Sequence, residues 1–287
     1  MKPPRHQQEP TETVRSIYRK LSRRWGPQHW WPAETAFEVV VGAILTQNTS
    51  WTNVEKAIAN LREADALNIE AIRRLPIGEL EQLIRSSGYF RQKAARLREF
   101  VVFLDGNYGG SLAAMLAAPT LRLREQLLEQ KGIGPETADS ILLYAGQEPI
   151  FVVDAYTRRV LERHDAVARS AKYDEVRELV EGALQREKPL PAPDGKALAA
   201  DRPAIHSPSA MSTMARPATV QVFNEMHGVL VQLGKHFCSK RSPNCEACPL
   251  GEMLSHPIVE EPPVKRDRPV KTKRRAAAVQ LSRKSRV

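Results

Sequence analysis

From Thr11 to about Gly182 apolar residues recur at three- and four-residue intervals, and no stretch alternates apolar with polar in the manner of a half-buried strand. Phe37, Val40, Val41, Ile44 and Leu45 line one face of a helix, and Leu121 to Leu128 repeat the pattern ahead of a glycine turn. Punctuation falls at Gly26-Pro27, Pro76, Gly106, Gly109-Gly110, Pro119, Gly132 to Pro135 and Pro149, so short helices joined by tight connections are expected. The pattern predicts an all-α architecture of compact bundles.

The periodicity lapses between about Glu187 and Val220, where Pro189, Pro191, Pro193, Gly195, Pro203, Pro208 and Pro217 stand among alanine and serine. That composition cannot sustain a core, and it predicts a disordered insertion over 187–219. Order is expected to resume at Phe223, where Phe223, Met226, His227, Leu230, Val231 and Leu233 build a helix running into the cysteine segment. Residues 1–10 read as a flexible N-terminus and 257–287 as a basic disordered tail.

Composition adds three constraints. The apolar fraction of 42% is ordinary for a protein that buries a proper core. No uninterrupted apolar run approaches the ~20 residues of a membrane-spanning helix, and Met1-Lys2-Pro3-Pro4-Arg5 leads into polar sequence, so a cytoplasmic protein without membrane association is expected. The net charge of +10 invites a polyanion, but most of it lies between Lys265 and Arg286, where a solvated tail that only aids solubility is the plainer alternative. The three cysteines, Cys238, Cys245 and Cys248, share one short stretch, which suits metal or cluster ligation better than a secreted disulfide framework.

The clearest motif is a helix from Leu121 to Gln130, the turn Lys131-Gly132-Ile133-Gly134-Pro135, and a second helix from Glu136 to Tyr144 with Thr137 in its first turn. This reads as a helix-hairpin-helix. Two glycines around one apolar anchor let backbone N–H groups approach a phosphate, and the second helix aims its positive end the same way. Such a turn grips DNA without reading its sequence. Downstream, the apolar run Pro149 to Val153 ends in Asp154 at the start of another helix, Ala155 to Leu161.

KGIGPETADSILLYA (131–145) followed by VVDAYTRRV (152–160) resembles the endonuclease III superfamily of helix-hairpin-helix DNA glycosylases, over roughly Thr11 to Gly182 and again from Phe223 to Leu250. The resemblance implies two helical domains with DNA in the cleft between them. One is a cluster-type domain from 11–32, 150–186 and 220–256; the other is a helical barrel, 33–149, carrying the hairpin at 121–145. It also implies that Asp154 is required for base excision, and that the partner is double-stranded DNA with a damaged base, engaged by a monomer.

Departures from the family pattern narrow the activity. Members that also cut the strand place a lysine nucleophile where this chain has Glu136, and a carboxylate cannot form the Schiff base that β-elimination needs. Lys131 lies in the turn and is better read as a phosphate contact. A monofunctional hydrolytic enzyme is expected, with Asp154 and Glu136 as the catalytic candidates. The helix Val41-Gly42-Ala43-Ile44-Leu45 offers no glutamate of the kind adenine-mismatch enzymes carry.

LTQNTSWTNVEKA (45–57) together with Trp30-Trp31-Pro32 resembles most the 3-methyladenine glycosylase III branch, with its aromatic base pocket. Trp31 and Trp51 are assigned to that pocket with Trp30 nearby, against the alternative of a hydrophobic core cluster. Cationic N-alkylated purines stack well on indoles and already have a weakened glycosidic bond. Gln47 and Asn48 are expected to fill the gap left by a flipped base or to bind its orphaned partner. Lys235 shares a helix face with His227, and is either a pocket residue or plain surface charge.

Cys238, Cys245 and Cys248-Pro249 reproduce three quarters of the family's cluster loop, in which four thiolates hold a [4Fe-4S] cluster. The fourth cysteine is due at Leu254. A cluster on three cysteines with an outside ligand such as His256, a zinc site and a metal-free loop all stay open. So do two functions besides hydrolytic excision: a non-catalytic DNA-binding module, and a bifunctional enzyme acting on oxidised pyrimidines.

Overall fold

The computed structural model describes residues 9–190, 203 and 206–255. Among them are α1 (Pro10–Trp25), α2 (Ala36–Leu45), α3 (Trp51–Glu63), α4 (Ile69–Arg74), α5 (Ile77–Leu83), α6 (Phe90–Tyr108), α7 (Leu112–Leu116), α8 (Thr120–Leu128) and α9 (Pro135–Ser140). They continue with α10 (Ala155–Arg163), α11 (Tyr173–Leu184), α12 (Ala210–Thr213) and α13 (Ala218–His236), and the described residues contain no strand. The expected all-α class is observed. No helix among these residues is long and apolar enough to cross a membrane.

The helices form two packing groups. In the first, α1 lies against α11 and α13, and α10 packs along α13, so the start of the chain is folded onto its later helices. Val14, Ile17, Tyr18, Leu21 and Trp25 recur on the buried face of α1, and Trp25 stacks on Phe237 with centroids 6.0 Å apart. Each such side chain contributes about 1.5–3 kcal/mol through the apolar surface it removes from water.

The second group is built around α2, which packs on α3, α6, α9 and the turn after α9. Thr35 caps α2 by accepting from the Glu38 amide at 3.1 Å, and every residue from Phe37 to Leu45 is buried. At its far end the buried Lys93 ammonium donates to the carbonyls of Leu45 (2.9 Å) and Ser87 (2.6 Å), satisfying a helix terminus that water cannot reach. Burial lowers the Lys93 pKa to about 8.

The structure corrects two expectations from the sequence. Residues 206–219, assigned above to a disordered insertion, are ordered: Ser209 caps α12, Met211 donates its amide to Ala33 O at 3.0 Å, and the Ser209 hydroxyl accepts from the Ala33 amide at 3.1 Å. The segment is held because Met211 is buried and the loop before α2 supplies backbone partners, neither of which its proline-rich composition reveals. Likewise α13 starts at Ala218 rather than Phe223, since Pro217 precedes the first turn and Val220 and Val222 are buried. The expectations for residues 1–8, 191–202, 204–205 and the tail from His256 lie outside the described residues.

Candidate functional site

The hairpin turn joins α8 to α9. Gly132 has φ +83°, and a Cβ there would stand 2.2 Å from Arg96 Nε, so only glycine suits the position. Ile133 is buried and anchors the turn, while Lys131, Gly132 and Gly134 stay exposed. Gln47 clamps the hairpin from the opposite side: its amide nitrogen donates to Gly132 O and to Thr137 Oγ1, both at 2.9 Å, and its carbonyl accepts from Arg96. The sequence thus brings Gln47, Gly132 and Thr137 together, but the Gln47 amide is fully engaged. Asn48, exposed and in the left-handed region at φ 54°, is the neighbour left open to solvent.

The second hairpin helix is α-helical only to Ser140 and continues as a π-turn, Ile141–Ala145. Asp139, wholly buried, ties it to the rest through Arg124, whose guanidinium donates to both carboxylate oxygens at 2.7 and 3.1 Å and to Asp174 at 2.9 Å. This fixes where the π-turn presents Tyr144.

The buried run Ile150–Val153 leads into Asp154, the N-cap of α10. One Asp154 oxygen, Oδ1, accepts from the Thr157 amide at 2.7 Å. The other, Oδ2, lies 3.8 Å from Nε2 of His227 on α13. Glu136 is exposed as a residue, but its carboxyl is turned out of water and lies within the electrostatic reach of Asp154. Loss of hydration and then that negative charge push its pKa up to about 7.

The three tryptophans assigned to a base pocket do meet. Trp31 contacts Trp51 edge-on, with centroids 5.0 Å apart, and Tyr144 at 5.0 Å. Trp30 lies 5.9 Å from His227 and 6.2 Å from Trp31. A glycine on α13 permits this approach, because a Cβ at Gly228 would be 3.2 Å from that of Trp30. Trp30 and Trp31 are buried, whereas Trp51 is half-buried and donates its indole N–H to Glu55 at 2.9 Å. The Lys235 ammonium sits 5.7 Å over the Trp30 ring; burial of that end lowers its pKa, and Glu55 and Asp154 partly offset this.

Sequence reasoning named His227 and Tyr144 only as helix residues, and missed His206 altogether. The Tyr144 hydroxyl and His227 Nδ1 are 2.6 Å apart. His206, from the ordered part of the insertion, lies 5.4 Å from Trp30 and 6.1 Å from Trp51, and its Nδ1 is 3.9 Å from Glu55. For His227 a signal existed, since a histidine on an otherwise apolar helix face needs a buried partner. For His206 none did.

Cys238 is buried just after α13, where its sulfur receives a guanidinium N–H from Arg163 at 3.1 Å. Cys245 and Cys248 follow on the same loop, and burial raises both thiols, Cys248 to about 11. Among the described residues no group of three or more His, Cys, Asp or Glu side chains is arranged to hold a metal ion, and Leu254 fills the fourth position. Among the described residues the three cysteines alone do not make a complete thiolate set for a [4Fe-4S] cluster, and His256 lies outside them.

Comparison with known proteins gives one family match: the profile of the HhH-GPD superfamily base excision DNA repair proteins fits residues 41–186, which include the hairpin, Glu136 and Asp154. A Methanocaldococcus jannaschii protein provisionally named a DNA repair glycosylase is 40% identical over 242 residues, covering 84% of this chain and 95% of its own. Endonuclease III of Thermotoga maritima is 25% identical, covering 82% of this chain and 89% of its own. Among solved structures, the H. pylori 3-methyladenine DNA glycosylase MagIII bound to 1,N6-ethenoadenine superposes with a TM-score of 0.61 at 28% identity, over 79% of this chain and 98% of that one. A non-covalent endonuclease III–DNA complex shares the fold, with a TM-score of 0.64 at 20% identity over 85% of this chain and 94% of that one.

Proposed function

The chain belongs to the HhH-GPD superfamily of base excision DNA repair proteins, and from that premise we propose that it is a monofunctional DNA glycosylase that hydrolyses the N-glycosidic bond of an alkylated purine flipped out of duplex DNA. The observation that carries the reading is Glu136, held in the field of Asp154 with its pKa pushed up to about 7. Two carboxyl groups whose environments separate their protonation can divide the work, one staying an anion and the other exchanging a proton near neutral pH.

In this reading the exposed backbone of the hairpin and Lys131 hold a phosphate, and Asn48, rather than the engaged Gln47, enters the space left by the flipped base. The base stacks at the Trp30, Trp31 and Trp51 wall, where indole faces favour a cationic ring. Lys235, its pKa already lowered, gives up its proton more readily when a second cation enters. The bond from C1′ to the base nitrogen breaks with its electrons passing to the base, and Asp154 stabilises the cationic sugar. Water attacks C1′ as Glu136 accepts its proton, leaving an abasic site and the free base.

The ligand in MagIII, a modified adenine, supports a purine substrate, and no step here runs through a metal cluster. The enzyme acts as a monomer in the cytoplasm, at the nucleoid in a bacterium. The test is a panel of duplexes carrying one alkylated purine, one oxidised pyrimidine or one mismatch, each with and without alkali and borohydride. The expected result is a strand break at the alkylated purine only after alkali, with no trapped adduct. Cleavage at the oxidised pyrimidine without alkali would favour a bifunctional enzyme, and binding without base loss a non-catalytic module.

A further inference from the structure

We propose that His227 is a positioning residue for excision, a buried imidazole that orients the Asp154 carboxylate through a chain beginning at the Tyr144 hydroxyl. The inference rests on the glycosylase reading above and extends it to groups behind the reacting atoms.

The geometry runs in one direction. Tyr144 and His227 are 2% and 4% exposed, and the Tyr144 oxygen meets His227 Nδ1 at 2.6 Å. The other ring nitrogen, Nε2, is buried without a hydrogen-bond partner among the described residues and lies 3.8 Å from Asp154 Oδ2. Burial raises the Tyr144 pKa well above its usual value and lowers that of His227, so the phenol keeps its proton and the imidazole is neutral. A neutral imidazole that accepts at Nδ1 carries its hydrogen on Nε2. That N–H faces the Asp154 oxygen that the α10 terminus leaves open, since Oδ1 is taken by the Thr157 amide at 2.7 Å. The separation exceeds a hydrogen bond, and contacts of this kind tighten when substrate closes the site.

A histidine held only for packing gives no reason for a buried, unpaired nitrogen aimed at a carboxylate. The ring is fixed by Tyr144 and Trp30, each 5.9 Å away, and by Phe151 at 6.3 Å. The charged and titratable groups facing Asp154 are Glu136 on α9, Tyr144 on the π-turn, and His227 and Lys235 on α13, with Arg216 acting on Tyr144. Glu136 and Asp154 repel one another once both are ionised. The His227 N–H offsets that repulsion at the pH where Glu136 becomes a base.

Single-turnover base release at saturating enzyme, followed from pH 4 to 9, tests the role. In His227→Leu the lower break of the profile is expected to move up by about one pH unit, and the plateau to fall about tenfold. His227→Gln, whose amide nitrogen replaces Nε2, restores most of both; Tyr144→Phe gives a partial shift because the tautomer is no longer fixed. Equal plateau losses in the Leu and Gln variants with an unmoved break would overturn the inference. A 15N spectrum of the wild-type imidazole gives an activity-independent check, and protonation at Nδ1 rather than Nε2 would overturn it too. Wild-type protein that releases no base from any substrate would instead overturn the glycosylase reading, and the catalytic role of His227 with it.

Discussion

Replacing Glu136 by glutamine keeps the shape of the side chain and removes the proton acceptor. The wild-type carboxyl is pushed up to about 7, first by its loss of hydration and then by Asp154. A base with that pKa is about one-eleventh ionised at pH 6 and about ten-elevenths at pH 8, so the single-turnover rate is expected to rise about tenfold across this interval and then level off. Glu136→Gln removes the rise and lowers the plateau by ~10²–10³-fold. Added salt weakens the Asp154 contribution and moves the midpoint down, toward the ordinary carboxylate range, while leaving the larger hydration contribution in place.

Stability carries the opposite signature. A carboxyl whose folded pKa lies above its unfolded value binds protons more tightly in the native state, so the native state loses stability as pH rises from about 4.5 to 7. The glutamine variant therefore melts above the wild type at pH 8, and the two converge in acid. The assay is release of labelled base with enzyme in excess, beside thermal melts at matched pH. A wild-type rate flat between pH 6 and 8, or one that falls with rising pH, would refute Glu136 as the base.

Three other outcomes follow from the site. Gln47→Ala strips the hairpin of two hydrogen bonds worth about 1 kcal/mol each, so DNA affinity measured by anisotropy falls by up to about thirtyfold while base release by saturated enzyme holds. Gly132→Ala forces a side chain into φ +83° and against Arg96, and is expected to cost about 1–3 kcal/mol in urea unfolding along with DNA affinity. Trp51→Ala removes the half-buried wall of the pocket, weakening binding of an alkylated duplex by about 1–3 kcal/mol while leaving undamaged DNA unaffected; equal losses on both would place Trp51 outside the base pocket.

The helices and the hairpin were legible because both rest on local rules: periodic apolar faces, glycine at a left-handed turn, and an acidic residue at a helix start, as at Asp154. What escaped was set by tertiary contact. Gln47 is expected with Asn48 to fill the gap left by a flipped base or to bind its orphaned partner, yet the backbone of Gly132 claims its amide across the fold. The proline-rich segment reads as disordered because composition cannot register that Ser209 and Met211 find partners at Ala33. Lys93, on which the sequence pattern is silent, is buried on two carbonyls. The cysteine spacing pointed to a cluster loop, and among the described residues no group of three or more His, Cys, Asp or Glu side chains is arranged to hold a metal ion.

The most direct test of the account is release of the modified base from a duplex carrying a single N-alkylated purine, measured by mass spectrometry for the wild type and for Asp154→Asn. Free base and an intact, alkali-labile strand are expected from the wild type, and loss of release from a variant that still binds the duplex. Undiminished release by Asp154→Asn would contradict it, because the anion at the α10 terminus would then have no part in breaking the glycosidic bond.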